Sequence, residues 1–506
     1  MYIGDYLARR CVYSADQVAL VDAAATPSRR YTYAAMNDRA DRTAGWLRAE
    51  GVGKGSRVAV LASDGVAFYD LFFACGKLGA VLVPLNWRLH PLEVEAQVRL
   101  VEPAVLLHDG PLVAATVAHL AGLRDAPRIE TLGSGGAYAA GLAAGARPEP
   151  ITCESLTERD AACLLFTGGT TGRPKAAEVS HGQIVWNTLN TRLGDVRESD
   201  VFLNIFPLFH AGGLFAFSVP LLILGGRVVQ LPRFTPADVL RQIGEERVTI
   251  FGGVPTVFQM LADAPEWAAA DLSSLRFCMS GGAPMPVPLI RRYQQEKGVV
   301  FRQGFGMTEF GPGVFSLAAT DAERKAGSIG KPNFFVDARV VDPETNRPLP
   351  PGEVGELVLR GPSAMSGYFR DPEATARVFD AEGYLHTGDL ARVDDEGYFS
   401  IVDRLKDMYI SGGENVYPAE VEGVLYRHPA VAMCAVVGVP DERWGEVGRA
   451  FVVLRVGASA TEAELIDHAR SHLARYKLPR SVVFLDRLPV SGAGKILKRE
   501  LRTHEL

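Results

Sequence analysis

At 506 residues the chain is too long for one ordinary core, and 47% hydrophobic with 22% charged residues is the balance of a globular protein with at least two domains. A formal net charge of −6, dispersed along the chain, excludes the basic footprint of a nucleic-acid binder. The six cysteines (Cys11, Cys75, Cys153, Cys163, Cys278 and Cys434) form no C-x-x-C pair, which argues against a zinc site or disulfide framework and for reduced thiols in a cytoplasmic protein.

Residues 1–10 carry Asp5 and no apolar run, so no secretory signal is expected. The most apolar stretch, 212–226, is broken by Ser218 and Pro220 and is shorter than the roughly 20 residues of a membrane helix. Met36, Ala40, Ala44 and Leu47 fall at helical spacing and predict a helix over 31–51. Strands are expected at 57–61, 80–84 and 104–107, with helices at 68–79 and 91–101 between them. This alternation predicts α/β layering on a parallel sheet. The Gly- and Ala-rich stretch 133–150 reads as a surface connection.

An apolar run over 161–166 reads as a buried strand that opens into Thr167-Gly168-Gly169-Thr170-Thr171-Gly172-Arg173-Pro174-Lys175. The glycines let backbone N–H groups turn inward as an anion-binding nest. The threonine hydroxyls add donors and Lys175 adds a mobile positive charge, so the loop points to a polyphosphate. It is not the common P-loop, because Arg173 and Pro174 separate Gly172 from Lys175.

Further on, Phe206-Pro207-Leu208-Phe209-His210 reads locally either as the lining of a pocket or as a core turn with a satisfied histidine. Ser280-Gly281-Gly282-Ala283-Pro284, after a strand over 275–279, is either an ordinary turn or a place where a flat ring approaches the backbone. In Gln303-Gly304-Phe305-Gly306-Met307-Thr308-Glu309, Phe305 offers a stacking face, Thr308 a hydroxyl for phosphate and Glu309 a hard carboxylate for Mg²⁺. Asp403-Arg404-Leu405-Lys406-Asp407 is a charged break after the apolar run 398–402; Asp403 and Asp407 read as an exposed linker. The remainder reads as a small α+β unit, with a helix over 418–426, strands over 431–437 and 450–454, and a capping box at Thr461–Glu464 opening a helix toward 473. In the basic tail, Lys498 and Arg499 read as solvated.

Taken in order, these segments resemble the AMP-forming adenylating superfamily of acyl-CoA synthetases, peptide-synthetase adenylation domains and luciferases. The 167–175 loop is similar to its T-[SG]-G-T-T-G-x-P-K-G signature, with Ala176 where glycine is commoner, and 303–309 to its Q-G-[YF]-G-M-T-E motif. Thr387-Gly388-Asp389 resembles its T-G-D motif and 489–495 its P-x-x-x-x-G-K motif; His386 stands where Arg or Lys is usual and is given no role. The D-E-R-W-G run at 441–445 and the stretch 411–418 are similar to the bacterial fatty-acid, feruloyl and chlorobenzoate CoA ligases.

The resemblance implies a large multi-layer α/β domain (1–402), a hinge (403–407) and a small mobile α+β domain (408–506). It implies ATP, Mg²⁺ and coenzyme A as cofactors and substrates, and a carboxylic acid that is first adenylated and then passed to a thiol. Gly281, Gly282, Ala283, Gln303, Gly304, Phe305 and Gly306 would border the nucleotide with the 167–175 loop. Asp389 would take the ribose hydroxyls, Arg404 the ribose and phosphate, and Lys406 the pivot. Thr308, Glu309, His210 and Lys495 would be catalytic. Phe206, His210, Phe310 and Gly311 would line the acid pocket, and Ser411, Gly412, Gly413, Trp444, Tyr476 and Arg480 would meet coenzyme A. His210 stands where amino-acid-activating domains carry aspartate, which favours a plain carboxylic acid, aromatic or fatty. The acceptor is free coenzyme A or, alternatively, a carrier protein, and the resemblance is compatible with a homodimer.

Overall fold

The computed structural model describes residues 3–24, 27–143, 149–167, 174–411, 414–490 and 496–503. The chain forms two compact units, one of residues 1–337 with 360–385, the other of 338–359 with 386–506.

The first unit is α/β and holds two large sheets. One has nine strands, the other six. In the nine-stranded sheet, Val18–Asp22, Arg227–Gln230, Val201–Asn204, Ile250–Gly253, Phe277–Gly281 and Phe301–Phe305 run parallel as neighbours. Their near-continuous burial is what a sheet covered on both faces requires. One apolar core draws on both sheets, with Leu20, Phe202 and Ile250 from the larger and Val58 and Leu82 from the smaller.

The six-stranded sheet contains the expected strands Arg57–Leu61, Val81–Pro84 and Val105–His108, all parallel. Its edge is a hairpin, Ala161–Thr167 against Lys175–Ser180, closed by the pair Thr167–Lys175. Ser180 then caps the helix His181–Leu193 by accepting the Gln183 N–H (3.1 Å). The helix Tyr33–Ala49 is shorter than its periodicity suggests, because Arg29–Thr32 pairs as an edge strand and Thr32 supplies the N-cap. The stretch 133–150 is not only connection. It contains the helix Ala137–Ala143, pinned where the Tyr138 O–H donates to the buried Asp70 (2.6 Å). One aromatic anchor outweighs the poor propensity of its Gly-rich surroundings.

The second unit is α+β. It contains a four-stranded sheet (Asp337–Val341, Gly355–Arg360, Leu385–Val393, Phe399–Arg404) and a five-stranded one built on the long hairpin Val431–Asp441 and Gly445–Leu454. The helix Glu462–Arg470 opens with the expected capping box, Thr461 and Glu464 each accepting the other's backbone N–H.

Candidate active site

The neighbouring parallel strands Phe277–Gly281 and Phe301–Phe305 carry two glycine-bearing segments at their carboxyl ends, where open α/β sheets bind ligands. Gly281 and Gly304 are register partners. Gly282 sits at φ +80°, a conformation that favours glycine. Gln303 is buried, and its Oε1 accepts the Met285 N–H (2.9 Å), which ties down the turn holding Gly282 and Ala283. Gly306 is the tightest position: a Cβ there would lie 1.3 Å from the Pro312 carbonyl oxygen. Phe305 is half-buried, its ring edge-on to Phe315 at 5.9 Å between centroids.

Phe206 follows the strand Val201–Asn204, and its ring lies 3.0 Å from where a Cβ of Gly252 would be. His210 is half-buried on the same turn. That turn is held from below by Asp64, whose Oδ1 accepts the Leu208 N–H (2.6 Å). Burial pushes the Asp64 carboxyl up to about 6, against the lowering effects of that hydrogen bond and of Arg88. Asp64 was invisible to motif reading, since it acts across 144 residues.

A second corner gathers around the hairpin end. Thr167 and Lys175 face each other at the base of the loop. Lys175 Nζ lies 5.2 Å from the centroid of the Tyr368 ring. The Tyr368 O–H donates to Glu309 Oε1 (3.1 Å), and the Glu309 carbonyl accepts the Met365 N–H (2.8 Å). Thr308 and Gly311 line a small cleft with Gln183, Asn187 and Phe215; both polar atoms of the buried Gln183 amide lack a partner among the described residues. Phe310 is fully buried, its ring tip 3.3 Å from a Cβ built on Gly361.

In the second unit Asp389 is buried and lies opposite Arg404 across antiparallel strands, with Arg404 Nε 2.5 Å from Asp389 Oδ1. Gly388, at φ +70° within the strand Leu385–Val393, precedes Asp389. Glu356 braces that part of the strand: one oxygen accepts the Gly388 N–H (3.0 Å) and the other meets His386 Nδ1 (2.7 Å). His386, given no role from sequence, therefore has a definite partner.

Asp403 is not an exposed linker residue. It is buried, and its two oxygens accept the Arg404 and Ala419 N–H groups (both 2.7 Å). Burial raises its pKa, and these hydrogen bonds oppose that rise. Asp407 pairs with Arg502 (3.1 Å), which also donates to the Lys406 carbonyl (3.1 Å). Lys498 is likewise not solvated; it pairs with Glu422 at 2.8 Å, both side chains about 15% exposed (15% and 16%).

Ser411 is the register partner of Gly445, the residue that follows the exposed Trp444. Tyr476 is exposed, and the Arg480 N–H donates to the Gly448 carbonyl (2.7 Å) on the same strand. Ser411, Trp444 and Arg480 of the proposed coenzyme A residues thus lie at the strand Gly445–Leu454. Gly168, Gly169, Thr170, Thr171, Gly172, Gly412, Gly413 and Lys495 lie outside the described residues.

Residues 7–369 match the AMP-binding enzyme family, and 420–495 match its C-terminal domain. The chain belongs to the family of AMP-binding enzymes. It is 47% identical over 472 residues to a feruloyl-CoA synthase of an Amycolatopsis species, covering 93% of each chain. A long-chain-fatty-acid–CoA ligase of Mycobacterium tuberculosis is 39% identical over 480 residues, covering 94% of this chain and 93% of that one. The o-succinylbenzoate CoA synthetase of Bacillus subtilis, solved with ATP and magnesium, superposes with a TM-score of 0.86 at 31% identity, covering 98% of this chain and 99% of that one. The protein is an AMP-forming acyl-CoA synthetase.

Proposed function

We propose that this acid–CoA ligase activates an aromatic, hydroxycinnamate-like acid and passes it to free coenzyme A. The observation that carries the choice of acid is the 47% identity to a feruloyl-CoA synthase across 93% of both chains. The half-buried Phe206 and His210, with no carboxylate at position 210, suit a flat acid without an ammonium group.

In the first half-reaction the substrate carboxylate attacks the α-phosphorus of ATP, and the bond to pyrophosphate breaks. Such transfers ask a protein for alignment and charge compensation. The 167–175 loop and Lys175 hold the polyphosphate, Thr308 and Lys495 meet charge at the reacting phosphoryl and carboxylate groups, and Asp389 with Arg404 fixes the ribose. In the second half-reaction the coenzyme A thiolate attacks the acyl carbon and AMP leaves. Residues 408–506 turn about Lys406 between the two, withdrawing Lys495 and bringing in the Ser411–Glu414 hairpin with Trp444, Tyr476 and Arg480.

The donor set fits magnesium. Glu309 offers one hard carboxylate whose Oε2 has no partner among the described residues, and no group of three His, Cys, Asp or Glu among them is arranged to hold a metal by itself. Magnesium usually takes one or two carboxylates and completes its shell with phosphate oxygens and water. Bound there, it would offset charge on the polyphosphate.

The test is a panel of hydroxycinnamic, benzoic and medium- to long-chain fatty acids assayed for AMP release with free coenzyme A. Highest kcat/KM on a hydroxycinnamic acid supports the reading; highest kcat/KM on a fatty acid replaces it with the activity named for the mycobacterial relative. Adenylation without acyl-CoA formation on any acid would point to a carrier protein as acceptor.

A further inference from the structure

Residues 365–369 run alongside the strand that begins at Lys175. The Glu178 N–H donates to the Gly367 carbonyl (2.9 Å), the Phe369 N–H donates to the Ala176 carbonyl (2.8 Å), and Tyr368 pairs antiparallel with Ala177. At the start of the same stretch, the Met365 N–H donates to the Glu309 carbonyl (2.8 Å). One short stretch thus joins the strand presenting Lys175 to the turn presenting Glu309. Tyr368 is the side chain in it that touches both: its hydroxyl donates to Glu309 Oε1 at 3.1 Å, and its ring lies under Lys175 Nζ at 5.2 Å. Among the described residues Lys175 has no carboxylate partner.

We infer that Tyr368 is a positioning residue of the ATP–magnesium corner, fixing Glu309 through one oxygen while holding Lys175 on its ring, so that the carboxylate and the ammonium stay separately available to cation and phosphate. The inference rests on the reading of Glu309 as the magnesium-binding carboxylate. A hydrogen-bonded carboxylate keeps one oxygen and one orientation for a metal, and outer partners of this kind typically tune metal affinity by tenfold or more. The aromatic face supplies a weaker, non-neutralising hold on the lysine.

The experiment titrates magnesium against adenylation rate at saturating ATP and acid for the wild type, Tyr368→Phe, Tyr368→Leu and Glu309→Gln. A parallel manganese spin-resonance titration in the presence of a non-cleavable ATP analogue reads the metal without turnover. Tyr368→Phe keeps the ring and the packing. It is expected to raise the magnesium midpoint and the manganese Kd by about 10-fold, leaving Tm and the KM for acid unchanged. Tyr368→Leu is expected to raise the KM for ATP in addition. If Glu309→Gln moves the metal midpoint and Tyr368→Phe does not, the tyrosine only packs and the inference is overturned. If neither moves it, the reading of Glu309 fails and the inference falls with it.

Discussion

Arg404 Nε lies 2.5 Å from Asp389 Oδ1, across two strands that hold the pair in register. The carboxylate is buried, whereas the Arg404 side chain is 48% exposed, so the arginine orients the acid and still offers its other nitrogens outward. A carboxylate held this way can accept from two vicinal hydroxyls. Asp389→Ala should lower kcat/KM for ATP by roughly 10- to 100-fold, the size of a lost hydrogen bond to a charged group. The sharper check is a pair of nucleotides. Wild type should penalise 2′-deoxy-ATP against ATP, and Asp389→Ala should treat the two alike; an equal penalty in both proteins would remove Asp389 from the ribose.

Gly306 cannot carry a side chain where it stands, because a Cβ would fall 1.3 Å from the Pro312 oxygen. Gly306→Ala must displace the turn leading to Thr308 and Glu309. The expected cost is about 1–3 kcal/mol or more of stability, together with loss of adenylation. Gly53→Ala, at a position with nothing within 4 Å, is the control and should change neither Tm nor rate.

Two buried groups set opposing pH trends. Asp64 has its pKa raised from 3.8 to about 6, so its contribution to stability is present below its unfolded value and is lost as pH rises through about 6. His181 is buried with neither ring nitrogen partnered among the described residues, and desolvation lowers its pKa from 6.5 to about 4. Its contribution is present above 6.5 and lost as pH falls through about 4. Acidification from neutrality therefore gains from one and loses from the other. Apparent Tm followed from pH 7.5 to 4.5 should fall more steeply in Asp64→Asn than in wild type, and less steeply in His181→Gln. Parallel curves for all three proteins would refute both assignments.

Where a packing demand is local, the sequence can carry it. The 303–309 segment needs Gly306 because the Pro312 backbone, six residues on, comes within 1.3 Å of where a Cβ would lie, and that demand is written locally. The parallel strands were legible because burial on both faces leaves an unbroken apolar run. What could not be read were partners remote in the chain. Tyr368 reaches Glu309 across 59 residues and Asp64 reaches Leu208 across 144, and no motif spacing encodes either contact. Lys498 and Asp403 were misjudged for the same reason. A charge in a polar stretch looks solvated until the fold supplies Glu422 or the Ala419 amide. The helix Ala137–Ala143 was hidden by its glycine-rich flanks and exists because Tyr138 finds Asp70.

Acid-dependent exchange of labelled pyrophosphate into ATP, without coenzyme A, tests the adenylate step on which everything else depends. Wild type should exchange label with a hydroxycinnamic acid, and Lys495→Ala should do so at least about 100-fold more slowly while still forming thioester from supplied acyl adenylate. No exchange by the wild type with any acid, or equal loss of both half-reactions in Lys495→Ala, would contradict it.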